Sequence, residues 1–293
     1  MTRSGFVALA GRPNAGKSTL VNRIVGGKVA IVSDKPQTTR REIRGIATGA
    51  AWQLVLVDLP GVQRPRDPLT ERMQRRVESA LADADAVLFV LNGEQQIGAG
   101  DRFIATAINN AGVPAVTALN KVDRLDQPRT VAALAAAAEL GVEGEIYPIS
   151  ARTGAGIEPL TAELIGMLPE GPFLYPPDEQ SDQPEQLRIA ELVREQVLLR
   201  TREELPHAVE VEIDELEERE DGLLVVRARV WAETESQKGI LVGAAGQMVK
   251  AIGTAARREI ETMLARRVHL DLHVRVRKGW RRDEALLDRL GIE

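Results

Sequence analysis

The chain contains no cysteine, so disulfide bonds and metal sites with cysteine ligands are excluded. It also lacks an apolar run long enough to span a bilayer as a helix. The first strand pattern starts at Phe6, which leaves no room after Met1 for a signal peptide. These absences lead us to expect a protein of the reducing cytoplasm.

The composition is that of a globular protein. Hydrophobic residues make up 44% and charged residues 28% of the 293 residues, a length sufficient for two domains with separate cores. A proline-rich polar stretch without periodicity runs from Gly171 to Pro184 and is typical of a linker. The sequence therefore predicts a first domain over 1–171, a linker over 172–186 and a second domain over 187–293.

The first domain alternates strand and helix patterns, which predicts an α/β fold with a mostly parallel sheet and helices on both faces. A helical pattern begins at Lys17, and the remaining strand and helix patterns alternate at 52–57, 69–82, 86–91, 100–110, 113–119, 129–139, 145–149 and 156–167. Ligands of such folds bind at the carboxyl ends of the strands, where the motifs described next are found.

A glycine-rich segment follows the first strand pattern. It reads Gly11-Arg12-Pro13-Asn14-Ala15-Gly16-Lys17-Ser18 and fits the phosphate-binding pattern G-x-x-x-x-G-K-[ST]. Backbone N–H groups of such a loop and the start of the following helix surround phosphate groups. Lys17 is predicted to reach the β- and γ-phosphates, and Ser18 to ligate Mg²⁺. The predicted nucleotide contacts are Gly11, Asn14, Ala15, Gly16, Lys17, Ser18 and Thr19.

The sequence Asp58-Leu59-Pro60-Gly61 ends the strand pattern at 52–57. Asp58 can hold Mg²⁺ through water, and the Gly61 N–H can contact the γ-phosphate because glycine allows close backbone approach. Alone, this short motif is weak evidence.

The sequence Asn120-Lys121-Val122-Asp123 follows another strand pattern and indicates the base. An ionised Asp123 can accept from both N1–H and the 2-amino group of guanine, a donor pair that adenine lacks. Asn120 is predicted to bond the base and neighbouring loops, and the Lys121 stem to cover one face of the ring. After the next strand pattern, Ser150-Ala151 can present a backbone N–H to guanine O6.

A polar segment without periodicity, from Ser33 to Arg40, lies between the phosphate loop and Asp58. Such a loop can be ordered by Mg²⁺ and the γ-phosphate and released on hydrolysis. We expect Thr39 to complete the metal shell, with Thr38 as the alternative.

Together, GRPNAGKS, PQTTR, DLPG, NKVD and SA resemble the G domain of the Era family of GTPases. The resemblance implies a P-loop GTPase that uses GTP, GDP and Mg²⁺, with catalytic roles for Lys17, Thr39, Gly61 and Asn14. In related GTPases an asparagine at the position of Asn14 helps to bind K⁺, so the resemblance implies K⁺ here as well.

Two residues depart from familiar GTPase patterns. Leu59 stands where many relatives have the threonine of D-T-P-G, and its side chain cannot hydrogen-bond. Val62 stands where Ras-like GTPases carry the glutamine that orients water, so the motifs do not reveal how the attacking water is oriented.

The patterns after the linker run helix, strand, strand, helix, helix, strand, with a helical tail after Trp280. The turn between the adjacent helices is Gly243-Ala244-Ala245-Gly246, a G-x-x-G sequence that can bring backbone close to nucleic acid. This arrangement resembles an α+β KH domain of type II, and the segments around His207 and Trp280 resemble the C-terminal domain of the Era family. We expect both of these side chains to serve packing.

Charge is distributed unevenly in the second domain. Thirteen acidic and five basic residues lie between Glu185 and Val226, whereas thirteen basic and five acidic residues lie between Arg227 and Arg282. This asymmetry suggests one acidic and one basic face, although ordinary solvated surfaces would look the same. The predicted RNA contacts are the G-x-x-G turn together with Lys238, Lys250, Arg257, Arg258 and Lys278.

The resemblance implies a monomer that binds the 3′ end of small-subunit (16S) ribosomal RNA during assembly of the small ribosomal subunit. A peripheral contact with the inner face of the cell membrane stays open. One alternative is a tRNA-modifying GTPase, but those relatives use a C-terminal cysteine that this chain lacks. Another is an RNA-binding module with a vestigial nucleotide site, which intact Lys17, Ser18 and Asp123 oppose.

Overall fold

The computed structural model describes residues 1–35, 37–61, 67–202 and 205–292. The strands and helices of the first domain are β1 (Arg3–Ala10), α1 (Lys17–Val25), β2 (Ile43–Thr48), β3 (Trp52–Asp58), α2 (Pro68–Asp83), β4 (Ala86–Asn92), α3 (Ala99–Ala111), β5 (Ala115–Asn120), α4 (Gln127–Ala138), β6 (Ile146–Pro148) and α5 (Ile157–Met167). Among the described residues, six strands form one sheet in the order β2-β3-β1-β4-β5-β6. The β2–β3 pairing is antiparallel and the others are parallel, which confirms the predicted mostly parallel sheet.

Successive residues of β1 belong to two cores on opposite faces of this sheet. Val7 and Leu9 pack with residues of α1 and α5, whereas Ala8 and Ala10 pack with residues of α2, α3 and α4. Because both faces are covered, the strands read as continuous apolar runs instead of alternating ones. The loops that follow β1, β3 and β5 therefore meet at one edge of the sheet.

Strand β2 is absent from the sequence prediction. Its Ile-Arg-Gly-Ile-Ala-Thr sequence contains Gly45, and glycine is depleted in strands. In the structure a Cβ on Gly45 would lie 2.5 Å from Val21 of α1, so the helix approaches the strand too closely for a side chain. Tertiary packing thus produces a strand that the local pattern does not indicate.

The second domain consists of α6 (Glu185–Arg200), β7 (Glu210–Glu218), β8 (Leu224–Ala232), α7 (Glu235–Val242), α8 (Gln247–Leu264), β9 (Val268–Val276) and α9 (Glu284–Arg289). Strand β8 pairs antiparallel with β7 and parallel with β9, and the sheet packs with α6 and α8 around residues such as Val193, Ala228 and Ile260. The predicted order of elements is confirmed. No single described helix is long and apolar enough to cross a bilayer, and α7 with α8 meets that test only as a pair bent by 43°.

The acidic and basic charge runs meet where β7 pairs with β8, so the suggested separation into an acidic and a basic face does not hold at these two strands. Arg229 of β8 lies 2.9 Å from Asp214, and Arg227 pairs with Glu215 of β7. Across the sheet, opposite charges on facing positions attract one another. Much of the positive charge of β8 is therefore neutralised within the domain.

The proline-rich segment is extended but attached to the first domain. The Gln53 side chain of β3 accepts hydrogen bonds from the backbone N–H groups of Leu174 and Tyr175 and donates one to the Tyr175 carbonyl. Helix α6 begins at Glu185, inside the stretch predicted as linker. The connection therefore fixes the path of the chain between the domains.

Candidate functional site

The loop between β1 and α1 has the conformation of a phosphate-binding loop. Gly16 lies at the amino end of α1 with a φ of 98°, and a Cβ there would lie 2.2 Å from the Asn120 side chain. The buried Lys17 Nζ donates to the carbonyls of Gly11 and Arg12 at 3.1 and 3.3 Å. Burial lowers the pKa of Lys17, although nearby Asp58 opposes this effect. The ammonium group thus lies where the loop closes.

Three oxygen-bearing side chains meet beside this loop. The Ser18 hydroxyl donates to Asp58 Oδ2 at 2.5 Å and lies 3.0 Å from the Thr39 hydroxyl, which is itself 3.3 Å from Asp58 Oδ2. Burial raises the pKa of Asp58, and its Oδ1 is buried without a hydrogen-bond partner among the described residues. Hydroxyl and carboxylate oxygens at one point fit Mg²⁺. Thr38 instead donates to the Lys35 carbonyl at 2.6 Å, so the geometry favours Thr39 as the ligand.

Gly61 and Asn14 close the same site from two sides. A Cβ on Gly61 would lie 2.8 Å from Pro13, so only glycine lets this segment approach the phosphate loop so closely. The Asn14 amide donates to the Asp34 carbonyl at 2.7 Å and so connects the phosphate loop to the segment that carries Thr39. These segments line one open cleft together with Lys17, Ser18 and Thr39.

The two departures from the family pattern have different outcomes. Leu59 is completely buried and packs in the core shared with Val77 and Leu81 of α2, so it anchors the segment by apolar contact instead of a hydrogen bond. Val62 lies outside the described residues, and the orientation of the attacking water stays unassigned.

Asn120 joins the loops of the base-binding end. Its Nδ2 donates to the Ala15 carbonyl at 2.8 Å, and its Oδ1 accepts from the Ala151 N–H at 2.9 Å. The Ser150 N–H also has an acceptor, the Ala155 carbonyl. In this conformation both backbone N–H groups of Ser150-Ala151 have acceptors within the protein, and the contact of one of them with guanine O6 stays a prediction.

Asp123 has the charge state that guanine recognition needs. The Ser150 hydroxyl donates to Oδ1 at 2.6 Å, and Arg152 donates to Oδ2. These hydrogen bonds, that of Ser150 first, lower the pKa of Asp123 despite partial desolvation. Lys121 has a φ of 69°, and its Nζ lies 3.4 Å from Glu94.

The turn between α7 and α8 exposes backbone at the surface of the second domain. Gly243 and Gly246 have φ values of 72° and 76°, and Ala245 has a φ of 49°. Ala244 and Ala245 are exposed, and no heavy atom of the described residues lies within 4 Å of a Cβ built on Gly246. An open, glycine-flanked turn of this kind is accessible to a nucleic-acid backbone.

The predicted basic contacts differ in their pairing and exposure. Lys238 of α7 lies 3.6 Å from Glu235, whereas the basic residues of α8 (Lys250, Arg257 and Arg258) and Lys278 after β9 are exposed. Trp280 is completely buried and donates to the Ala208 carbonyl at 2.9 Å, so it serves packing as expected.

Comparison with known proteins connects both halves of the site to one family. A family described as 50S ribosome-binding GTPase matches residues 6–121, and the KH domain family matches residues 204–281. The chain is 43% identical over 289 residues to the GTPase Era of Halothermothrix orenii, covering 99% of this chain and 98% of that protein. The chain belongs to the Era family of GTPases. It is also 44% identical over 295 residues to the GTPase Era of Mycolicibacterium smegmatis, with coverage of 99% and 98%.

Solved Era structures agree with this fold over nearly the whole chain. An Aquifex aeolicus Era variant bound to GDP·AlF4⁻ matches with a TM-score of 0.95 and 33% identity over 99% of each chain. Era in complex with MgGDPNP and nucleotides 1506–1542 of 16S ribosomal RNA matches with a TM-score of 0.95 and 34% identity, covering 100% of this chain and 99% of that one. The predicted P-loop GTPase domain followed by a KH domain is confirmed.

In this member of the Era family, the residues directly after Thr39 enter the second domain. Arg40 donates to the Val209 carbonyl at 2.6 Å and to Glu210 at 2.8 Å, and Arg41 pairs with Glu191 at 2.5 Å and Glu210 at 3.2 Å. Burial raises the pKa of Glu210, but the charges of Arg41 and its neighbours outweigh it and lower the pKa to about 2. The segment that carries Thr39 is thus attached to the KH domain.

Another contact between the domains of this Era-family protein is apolar. Leu69 and Met73 of α2 pack against the C-terminal tail, in a cluster with Trp280, Leu286, Leu287, Leu290 and Ile292. Arg41 Nε also donates to the Leu290 carbonyl at 2.7 Å. The tail therefore contacts both the segment after Thr39 and the helix after Gly61.

Sequence reasoning missed these interdomain residues. Helix α6 has an apolar period, so its polar positions are expected on a solvated face. In the structure Glu191, Arg194 and Glu195 are buried, because α6 lies between its own sheet and the first domain. The sequence signal that could have indicated an interface between the domains is the combination of acidic residues on α6 with two arginines directly after Thr39.

Proposed function

We propose that this Era-family GTPase uses GTP hydrolysis to control binding of the 3′ end of 16S ribosomal RNA to its KH domain, in assembly of the small ribosomal subunit. The observation that carries the proposal is the junction at Thr39. Its hydroxyl lies with Ser18 and Asp58, and the next residue, Arg40, is buried against the KH domain. An Era relative of the same fold has been solved with MgGDPNP and 16S ribosomal RNA nucleotides.

Each residue of the nucleotide site has a defined task in this proposal. Ser18 and Thr39 would hold Mg²⁺ directly and Asp58 through water, and bound Mg²⁺ would neutralise charge on the phosphate oxygens. Lys17 supplies a second positive charge to the same oxygens, and the Gly61 N–H can report the γ-phosphate. Asp123 binds the base and thereby holds the phosphates of the nucleotide at one position in the phosphate-binding loop.

Loss of the γ-phosphate would remove the ligand that keeps Thr39 beside Ser18. Because Arg40 and Arg41 are paired inside the KH domain, a movement of Thr39 changes the geometry of that buried cluster. Two domain arrangements that bind RNA with different affinity would then follow the nucleotide state.

The full-length chain should bind an RNA of the 16S 3′-end sequence with affinities that differ at least about fivefold between the GDPNP and GDP states. Fluorescence anisotropy at fixed salt measures this, with a scrambled RNA of equal length and charge as the control, and crosslinking in both states locates the contacts. Equal affinities in both states would contradict nucleotide control. Equal affinities for both RNAs would contradict sequence-dependent recognition.

We further propose that K⁺ assists hydrolysis at Asn14. Its amide Nδ2 donates to the Asp34 carbonyl at 2.7 Å, which places the Asn14 side chain between the phosphate loop and the segment leading to Thr39. A monovalent cation there would supply positive charge near the phosphates.

We expect kcat for GTP to be about tenfold higher in KCl than in NaCl at equal ionic strength, since the smaller Na⁺ fits a different ligand distance. The Asn14→Ala variant should lose this difference between the salts. Equal kcat values of the unaltered protein in both salts would contradict the K⁺ proposal. The role of Asn14 would then be limited to its hydrogen bond with Asp34.

We also infer a monomer of the cytoplasm that can contact the inner face of the cell membrane peripherally. The absence of cysteine from all 293 residues supports a reducing compartment. Fractionation and light scattering of the native protein measure location and mass.

A further inference from the structure

Both carboxylate oxygens of Asp123 accept hydrogen bonds from the loop that follows β6. Ser150 Oγ donates to Oδ1 at 2.6 Å, and Arg152 donates to Oδ2 from Nε at 3.1 Å and from Nη2 at 2.6 Å. Arg152 thus donates two hydrogen bonds to one oxygen of the carboxylate that is predicted to recognise the base. The two donor nitrogens, Nε and Nη2, are attached to the same carbon.

Guanine carries the same donor unit. Its N1–H and its 2-amino group are attached to one carbon, as Nε and Nη2 of arginine are attached to Cζ, and both units match a carboxylate. We propose that Arg152 is a built-in competitor of the guanine base for Asp123, and thereby sets the affinity for guanine nucleotides. This inference rests on the proposed recognition of guanine by Asp123.

The backbone of this loop is held in place from α1. Arg23 donates from Nε to the Ala151 carbonyl at 3.1 Å and from Nη2 to the Arg152 carbonyl. The Arg152 side chain itself is 67% exposed, whereas that of Asp123 is 12% exposed. The loop therefore keeps the guanidinium within reach of Asp123, while the side chain can rotate into solvent without disturbing packing.

Entry of the base requires the Arg152–Asp123 pair to open. The observed affinity then equals the intrinsic affinity reduced by the fraction of molecules in which the pair is open. Because exposed ion pairs have small net free energies, the competitor should lower the affinity only by a factor of about two to five. Such a factor adjusts affinity and leaves the choice of base to Asp123.

The test uses the full-length protein with a fluorescent GDP analogue in stopped-flow measurements. We expect Arg152→Ala to raise the association rate constant about two- to fivefold with an unchanged dissociation rate constant, and to tighten binding by the same factor. The gain should shrink in 1 M salt, where the ion pair of the unaltered protein is screened. Arg129→Ala removes an exposed arginine paired with Asp126 instead and should change neither rate.

A double variant separates competition from other roles. In the Asp123→Asn background, measured with xanthosine diphosphate, Arg152→Ala should have less than half of its effect, because the charge that holds Arg152 is gone. Unchanged or weaker GDP binding by folded Arg152→Ala, or an effect confined to the dissociation rate, would overturn the proposal. Failure of the unaltered protein to prefer GDP over ADP would instead contradict the role of Asp123.

Discussion

Asp123→Asn is expected to change the preferred substrate from GTP to xanthosine triphosphate. The asparagine amide can donate to the C2 carbonyl of xanthine, whereas it places its own donor against the 2-amino group of guanine. Because a site built to bond a particular donor strongly rejects its mismatch, kcat/KM for GTP should fall about a hundredfold or more. Steady-state hydrolysis of both nucleotides measures the exchange.

Asp126→Asn provides the matched control for this experiment. Asp126 caps α4 close to Asp123 in sequence by accepting from the Arg129 N–H, and asparagine caps helices equally well. This variant should retain the preference for GTP. Equal use of ATP and GTP by the unaltered protein, or an unchanged preference in Asp123→Asn, would rule out this carboxylate as the recognition element.

Gly246→Asp is expected to abolish RNA binding while the protein remains folded. The new Cβ meets no heavy atom within 4 Å in the part of the chain that the structure describes, so we expect the folding cost to come from the unfavourable φ of 76° and to be about 1–2 kcal/mol. In a turn that contacts phosphates, the added carboxylate would repel the RNA backbone and occupy its space. We expect RNA affinity to fall more than tenfold, with the intrinsic GTPase rate retained.

Gly222→Asp is the control for backbone strain. Gly222 has a φ of 75°, and a Cβ there also lies more than 4 Å from every described residue beyond its chain neighbours, but it lies in the turn between β7 and β8. Both variants should show a similar fall in melting temperature, and only Gly246→Asp should lose RNA. Unchanged RNA affinity in folded Gly246→Asp would exclude this turn as the RNA site and leave the segment around Lys278 as the candidate.

The sequence predicts the parallel part of the fold and the position of each motif, because long apolar strands and a phosphate-loop pattern are local signals. Strand β2 escapes prediction since Gly45 is required by the nearby Val21, a contact that no local pattern contains. The buried charges of α6 escape for the same reason. The position of Arg152 against Asp123 depends on Arg23, which lies far away in sequence.

The contacts of the C-terminal tail also determine when the first domain can complete its folding during synthesis. Arg41 and Leu290, which bond to each other, are 249 residues apart in sequence. Because a chain emerges from its amino end, the first domain can fold while this arginine still lacks its partners. The apolar side chains of Leu69 and Met73 also remain without their packing partners until the tail has been synthesised. The segment after Thr39 therefore reaches its final environment only after the tail has been made, so a nascent first domain differs from the same domain in the finished protein.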